Sequence, residues 1–199
     1  MPTIEFWLEY ASTYSYLTVA RIGRLAQERG FQIDWQPFWL FPVREQLGLP
    51  APFPDGSPRE QYMWRDLERR AKRLEIAYRR PEVYPFNSVA VGRIALVAAR
   101  EGWCRQFTEH AFRLHWTQGV PMTSSENISA ALASAGQDAG RVQSLASSPE
   151  IKESFRQQAD RALNKGIFGA PSFVVGTELF WGDDRLEDAI AFATGANAA

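Results

Sequence analysis

The chain of 199 residues is long enough for one domain with a substantial core, or for a core domain that carries an insertion. Its 22 basic and 23 acidic residues give a formal net charge of −1, so no overall field would draw the protein to nucleic acid or to an anionic membrane surface. We therefore expect small molecules or other proteins as partners, and neither nucleic acid nor membrane.

The sequence offers few residues for redox or metal chemistry. Its one cysteine, Cys104, excludes an internal disulfide and a CxxC pair, and its place in a helical pattern is typical of a small buried residue. The two histidines, His110 and His115, fall on one predicted helix, about 140° apart around its axis. With this set of residues we expect no transition-metal site.

Two further patterns bear on location. Glu5 and Glu9 interrupt the apolar residues at the start of the chain, which is not the pattern of a secretory signal. No apolar run in the sequence is long enough to span a bilayer. We expect a cytoplasmic protein.

A βαβ unit is predicted at the start of the chain. Thr3–Leu8 alternate as in a strand, and Tyr14–Arg29 carry apolar residues at helical spacing, with Gly30 as the expected terminator. A second alternating run begins at Phe31 and ends at Pro37. The two strands should be parallel and joined by a right-handed crossover.

The middle of the chain is predicted to be mainly helical. Phe41–Pro58 contains five prolines, so we expect a long irregular segment here, of the kind that is often functional. Helical spacing, capping residues and a proline suited to a first turn then predict five helices. They are Arg59–Arg79, a helix capped by Asn87 that ends at Glu101, Trp103–Trp116, Glu126–Ala135 capped by Ser125, and a helix from Ser148 and Pro149 to Lys165.

The last part of the chain returns to strands. Ser172–Val175 and Glu178–Trp181 form a predicted hairpin around a glycine-containing turn. Asp184 and Glu187 have the spacing of a capping box and should open a terminal helix. The organisation that follows is a split α/β core of residues 1–42 and 166–199, with residues 43–165 as a helical insertion.

Ser12 lies where the first strand gives way to the first helix. The first N–H groups of a helix have no partner within it, and the helix dipole is positive there, so an anion or a thiolate is readily stabilised. Ser12 is therefore a candidate for the centre of a site. The alternative is that Ser12 only caps the helix, a position at which serine is preferred.

Several segments, taken in order, resemble one known family. Leu8–Leu17 is similar to its motif of an acid, two variable residues and then Ser-Pro-aromatic-Ser-aromatic-Leu, with Glu9 for the usual aspartate and Thr13 for the usual proline. Further similar segments are Pro37-Phe38, the helix from Arg59 to Leu67, Tyr84–Ser88, Phe168–Phe173 and Trp181–Leu186. The chain thereby resembles the 2-hydroxychromene-2-carboxylate isomerases and kappa-class glutathione transferases, a branch of the DsbA-type thioredoxin fold.

The resemblance implies an α/β, thioredoxin-like domain with a large all-helical insertion, and glutathione as the cofactor. Ser12 would face the glutathione sulfur beside a cis-proline at Pro171, and the backbone of Ala170 would pair with the cysteinyl part like an added strand. Asp184 matches the aspartate that receives the γ-glutamyl ammonium, and Arg59 a lysine position that meets a glutathione carboxylate. The alternatives are a helix cap for Asp184, a solvated charge for Arg59 and an edge-strand proline for Pro171.

Two residues depart from the family in the region implied to bind glutathione. Asp183 stands where the family has serine, asparagine or glutamine. It would bring a second negative charge toward the carboxylate end of the tripeptide, unless Arg185 or a partner subunit offsets it. Leu49 stands near a position where some relatives use asparagine. We count Asp183 with Asp184 among the cofactor-binding candidates.

The implied activity is a glutathione-dependent cis–trans isomerisation in bacterial aromatic-ring catabolism, carried out by a homodimer. It would turn a 2-hydroxychromene-2-carboxylate into trans-hydroxybenzylidenepyruvate. Candidates for contacts with the aromatic substrate are Trp39, Phe41 and Asn87, with ordinary core packing as the alternative for the two aromatic residues. Candidates for a cation that meets the substrate carboxylate are Arg65, Arg69, Arg70, Arg73, Arg79 and Arg80. Two other functions stay open: a kappa-type transferase, which would consume glutathione, and a non-enzymatic thioredoxin-like binding module.

Overall fold

The computed structural model describes residues 1–51 and 53–196, and one mixed sheet lies at its centre. Its strands are β1 (Thr3–Leu8), β2 (Gln32–Pro37), β3 (Ser172–Val175) and β4 (Glu178–Trp181), in the spatial order β2-β1-β3-β4. β1 and β2 are parallel, as the sequence predicts, whereas β3 is antiparallel to both β1 and β4. Strands from the two ends of the chain are therefore neighbours in the middle of the sheet.

The described residues also form nine α-helices, most of which lie between β2 and β3 in the chain. They are α1 (Thr13–Arg29), α2 (Leu40–Gln46), α3 (Pro58–Arg73), α4 (Val89–Glu101), α5 (Cys104–Gln118), α6 (Ser125–Ser134), α7 (Ala139–Ala146), α8 (Pro149–Asn164) and α9 (Leu186–Thr194), and a 3-10 turn of Asp183–Arg185 precedes α9. This arrangement confirms the predicted α/β class with inserted helices. None of the helices in the described chain has the length and apolar character needed to cross a membrane.

Three predictions for the middle of the chain need correction. The proline-rich segment is not irregular throughout, because α2 forms at its start. The helix predicted to reach Arg79 ends at Arg73, since Glu75 adopts a left-handed φ of 56°, which a continuing helix does not tolerate. α7 was not predicted at all, although Asp138 caps it by accepting a hydrogen bond from the N–H of Arg141 at 2.6 Å.

The starts of three other helices also bear on the predictions. Ser124 rather than Ser125 caps α6. Ser88 and not Asn87 stands at the cap position of α4, so the predicted cap at Asn87 is wrong, although the Asn87 side chain accepts a hydrogen bond from the N–H of Val89 at 3.1 Å. Asp184 does not cap the terminal helix, because the 3-10 turn comes first. The predicted cap at Asp184 is therefore wrong, and its carboxylate stays half-exposed.

β1 is buried on both of its faces. Ile4, Phe6 and Leu8 are fully buried in a core that continues into α1, α9 and the inserted helices α3 to α6. Trp7, on the opposite face, is fully buried in a second cluster with Phe38 and residues of α8. Burial of side chains of this size contributes about 1.5–3 kcal/mol each. Packing on two sides thus fixes the point at which β1 ends and the following corner begins.

Candidate functional site

The corner between β1 and α1 brings Ser12 into contact with the far end of the chain. Ser12 caps α1, because its Oγ accepts a hydrogen bond from the N–H of Ser15 at 3.1 Å. The same hydroxyl donates to the carbonyl oxygen of Ala170, also at 3.1 Å, across 158 residues of sequence. Ser12 is half-buried. The capping alternative is correct, but a cap alone does not require the contact with Ala170.

The segment that meets Ser12 is held in place on its other side. The peptide bond between Ala170 and Pro171 is cis, as predicted. The carbonyl of Pro171 accepts a hydrogen bond from the N–H of Gly182 at 2.9 Å. A Cβ atom at Gly169 would lie only 2.2 Å from Nε1 of Trp181, so this close approach requires glycine. The Ala170 carbonyl is therefore fixed beside the N-terminus of α1.

Asp183 lies inside the protein and not on the surface of the site. It is 1% exposed, and its carboxylate accepts hydrogen bonds from Thr18 at 3.1 Å and from Arg21 at 2.9 Å. It also forms an ion pair with Arg70. Two predictions are thereby corrected: the Asp183 carboxylate does not face a cofactor, and two arginines of the same chain offset its charge, rather than Arg185 or a partner subunit. Arg70 is occupied in turn, so it leaves the set of candidate cations for a substrate carboxylate.

Asp184 keeps an accessible carboxylate near the cis-proline. It comes two residues after Gly182, the residue whose N–H bonds to Pro171. Half of its side chain is exposed, and a carboxylate oxygen lies 3.3 Å from the guanidinium of Arg185. Asp184 thus presents its carboxylate to solvent, whereas the carboxylate of Asp183 is buried.

Arg44 is a further residue of this region, which no motif in the sequence indicates. From α2 it donates hydrogen bonds to the carbonyl of Phe168, at 3.4 Å, and to that of Pro50. Burial, together with the nearby charge of Arg59, lowers the pKa of Arg44. Arg59 itself is exposed in the first turn of α3. Two cations thus lie close together, and one of them contacts the segment before the cis-proline; the proline-rich stretch had no periodic pattern that would have placed Arg44 there.

The residues predicted to contact an aromatic substrate are all exposed. Trp39 and Phe41 are 37% and 64% exposed, and their rings stack with centroids 6.1 Å apart. The alternative that both are ordinary core residues is therefore wrong. Asn87 is exposed at the start of α4. Within the described residues no hydrogen bond links these three side chains to Ser12, so their sharing of one pocket stays a prediction.

Cys104 takes no part in this region, as predicted. It is 3% exposed, and its Sγ lies 3.5 Å from the hydroxyl of Thr108. Burial raises the pKa of the Cys104 thiol to about 12, so the thiolate does not form near neutral pH. Because the chain has one cysteine, a thiol at the Ser12 corner has to come from a ligand.

Glu9 lies directly before the Ser12 corner, at the end of β1. It is 7% exposed, and its Oε2 accepts a hydrogen bond from the N–H of Ala11 at 2.9 Å. Its other oxygen accepts a hydrogen bond from the hydroxyl of Ser88, at the start of α4. Burial raises the pKa of Glu9 to about 7, although these hydrogen bonds act in the opposite direction. In the sequence, Glu9 interrupts the first apolar residues and replaces the aspartate of the family motif, and neither pattern predicts a buried carboxyl group.

The raised pKa makes the stability of the fold depend on pH. Between the ordinary pKa of 4.5 and the folded-state value of about 7, the folded chain binds more protons than the unfolded chain, so its stability falls as the pH rises. Glu9→Gln removes this titration. From about pH 5 to about pH 8, we expect the free energy of unfolding of the wild type to fall by about 1–3 kcal/mol more than that of Glu9→Gln. Urea denaturation of both proteins at the two pH values measures the difference, and equal pH dependence would contradict the assignment.

Comparison with known proteins gives one family and several relatives. The model of the DSBA-like thioredoxin domain matches residues 3–190. The 2-hydroxychromene-2-carboxylate isomerase of Sphingobium xenophagum is 26% identical over 186 residues, which cover 93% of this chain and 94% of that protein. Glutathione S-transferase kappa 2 of Caenorhabditis elegans is 25% identical over 206 aligned residues, which cover 95% and 90% of the two chains.

The similarity extends to three dimensions. A solved structure of a 2-hydroxychromene-2-carboxylate isomerase superposes on this chain with a TM-score of 0.88 and 26% identity. The match covers 98% of both chains. The two protein types that the sequence motifs resemble are thus both found among the relatives, and the similarity to each runs over nearly the whole chain.

Proposed function

We propose that this chain, which belongs to the family of DSBA-like thioredoxin domains, is an isomerase that uses glutathione as its cofactor and acts on a 2-hydroxychromene-2-carboxylate. The observation that carries the proposal is the Ser12 hydroxyl, held between the N-terminus of α1 and the carbonyl that precedes the cis-proline. Where a thiol oxidoreductase needs its own cysteine, this corner has a hydroxyl. The isomerases among the relatives support the reaction class.

The backbone around Ala170 fits the cysteinyl part of glutathione. Ala170 is half-buried, and its carbonyl accepts the hydrogen bond from the Ser12 hydroxyl. A cysteinyl N–H of the tripeptide that paired with this carbonyl would compete with the Ser12 hydroxyl, which could then turn toward the neighbouring sulfur. The Ser15 N–H still donates to Ser12 Oγ, which polarises the hydroxyl further. Docking and activation would thus be coupled through one hydrogen bond.

The charges around this corner suit the ends of the tripeptide. Asp184 offers an exposed carboxylate for the γ-glutamyl ammonium, and Arg44 and Arg59 offer cations for the carboxylates. Asp183 adds no free negative charge, because Arg21 and Arg70 enclose it. The departure from the family at Asp183 therefore does not weigh against glutathione.

Ser12 would favour the charged form of the cofactor's sulfur. A free thiol has a pKa of about 8.5, so only a few per cent is ionised at neutral pH. A hydroxyl donor and the positive end of α1 both stabilise the anion, and each unit of depression corresponds to about 1.4 kcal/mol. When bound, glutathione would supply a thiolate that adds reversibly to the conjugated ring system, which permits ring opening, rotation about the former double bond and return of the thiol unchanged. Trp39 and Phe41 are candidates for the apolar surface that meets the aromatic ring.

Turnover of a 2-hydroxychromene-2-carboxylate with and without glutathione tests this proposal. We expect product to form only when glutathione is present and the added glutathione to be recovered in full, because the thiol is released in each cycle. Cys104→Ala is the matched control, and it should show the same dependence on glutathione. Consumption of glutathione as an adduct would instead indicate a kappa-type transferase, and a lack of both glutathione binding and turnover would indicate a binding module; either result would overturn the isomerase proposal.

A further inference from the structure

Glu9 uses both its backbone and its side chain to close the corner that carries Ser12. The carbonyl of Glu9 accepts a hydrogen bond from the N–H of Ser12 at 3.1 Å. Its carboxyl accepts one from the N–H of Ala11 at 2.9 Å. The two peptide N–H groups that precede α1 are therefore both bound to one residue. Neither of them is left to water or to a competing geometry.

The second carboxyl oxygen fastens this corner to another part of the molecule. It accepts a hydrogen bond from the hydroxyl of Ser88, which stands at the cap position of α4. Glu9 thus bridges the end of β1 and the first turn of an inserted helix, 79 residues further along the chain. The position of the Ser12 hydroxyl depends on the backbone that this bridge holds.

Within the part of the chain that the structure describes, Glu9 forms hydrogen bonds and no ion pair. The groups that lower its pKa against burial are the Ser88 hydroxyl and the N–H groups of Ala11 and Tyr10. Burial and then the nearby charge of Glu9 raise the pKa of Tyr84, a residue of the segment before α4. A neutral acceptor and donor at position 9 could therefore make the same contacts.

We infer that Glu9 is a positioning residue for Ser12, which acts by holding the Ala11 N–H and the Ser88 hydroxyl and thereby fixes the corner from which Ser12 reaches a ligand. It does not touch the reacting atoms. The inference deepens the proposed function and rests on it for its effect on activity. The positioning of the corner itself exists without any ligand.

Two substitutions separate positioning from other roles. Glu9→Ala removes both contacts, whereas Glu9→Gln keeps an acceptor for the Ala11 N–H and offers an N–H₂ group to the Ser88 oxygen. Glu28→Ala, at an exposed carboxylate near the end of α1, is the control for loss of a glutamate as such. Activities are measured without urea, at a pH at which all variants are folded, and are expressed per amount of folded protein.

The first measurement needs no ligand: amide hydrogen exchange in the free protein. We expect the protection of the Ala11 and Ser15 N–H groups to fall about tenfold or more in Glu9→Ala relative to the amides of β3, and to stay within about threefold of the wild type in Glu9→Gln and Glu28→Ala. Unchanged protection in Glu9→Ala, or equal loss in Glu9→Gln, would overturn the inference. This test applies even if glutathione does not bind to the wild type. Such a lack of binding would contradict the proposed function but not the positioning role of Glu9.

The second measurement uses the bound cofactor. In Glu9→Ala we expect the pKa of bound glutathione, followed by thiolate absorbance in the ultraviolet, to rise by about one unit and kcat to fall about 10-fold to 100-fold, with KM for glutathione within about threefold. Glu9→Gln should restore both the thiol pKa and kcat. A merely structural role predicts lower stability with an unchanged thiol pKa, and that outcome would contradict positioning.

Discussion

Replacing Asp183 with alanine is expected to lower the free energy of unfolding by about 3–5 kcal/mol, the largest loss of stability that we foresee for one substitution. The carboxylate of Asp183 is fully buried and pairs with Arg21 and Arg70, whose side chains are themselves 8% and 16% exposed. Removal of the carboxylate takes the ion-pair partner from Arg70 and leaves Arg21 with the exposed Glu187, although both guanidinium groups have little access to water. α1, α3 and the turn before α9 would lose their common link.

Urea denaturation measures this loss, and Asp184→Ala is the matched control. The Asp184 side chain is half-exposed, so its removal should change the free energy of unfolding by no more than about 0.5 kcal/mol. If the free energy of unfolding of Asp183→Ala lies within the same margin of the wild-type value, then the buried ion cluster does not stabilise the fold and the role given to Asp183 is wrong.

The second large effect concerns turnover. Ser12→Ala should lower kcat about 100-fold, because it removes the hydroxyl that we propose to stabilise the thiolate, as loss of one preorganised donor does in other enzymes. KM for glutathione should change much less, because the Ala170 carbonyl and the charged residues that would hold the tripeptide remain.

A cap on another helix provides the control for Ser12→Ala. Ser148 accepts a hydrogen bond from the N–H of Ile151 at 3.3 Å and caps α8 as Ser12 caps α1. Both substitutions should cost about 1 kcal/mol of stability through loss of a cap. Only Ser12→Ala should lose turnover. Similar turnover in the two variants would show that Ser12 is a cap and nothing more.

The elements near the two ends of the chain were predicted correctly from the sequence, for a physical reason. The buried residues Ile4, Phe6 and Leu8 alternate along β1, α1 ends at Gly30 with a left-handed φ of 72°, and the hairpin of β3 and β4 has a glycine turn, so each element is determined by residues close to it. α2 was missed because a short helix among prolines gives no periodic signal. Glutamate usually favours a helix, so the sequence at Glu75 did not indicate that α3 ends before this residue.

The site was predictable where local pattern and family motif agreed, and not where distant residues meet. Ser12 and Pro171 were both identified, and the structure joins their segments through the hydrogen bond from Ser12 to Ala170. No sequence pattern showed that Asp183 would turn inward to Arg21, which lies 162 residues earlier. The functional roles of all the candidate site residues stay predictions, as do a homodimer and a cytoplasmic location.

The most direct test of the role of Ser12 is the titration of glutathione bound to this protein, monitored by the ultraviolet absorbance of its thiolate. We predict that the bound thiol ionises about one unit or more below the free value of about 8.5 in the wild type, and that Ser12→Ala moves it back toward that value. A bound thiol that titrates like free glutathione, or identically in the two proteins, would contradict the claim that Ser12 holds a glutathione thiolate.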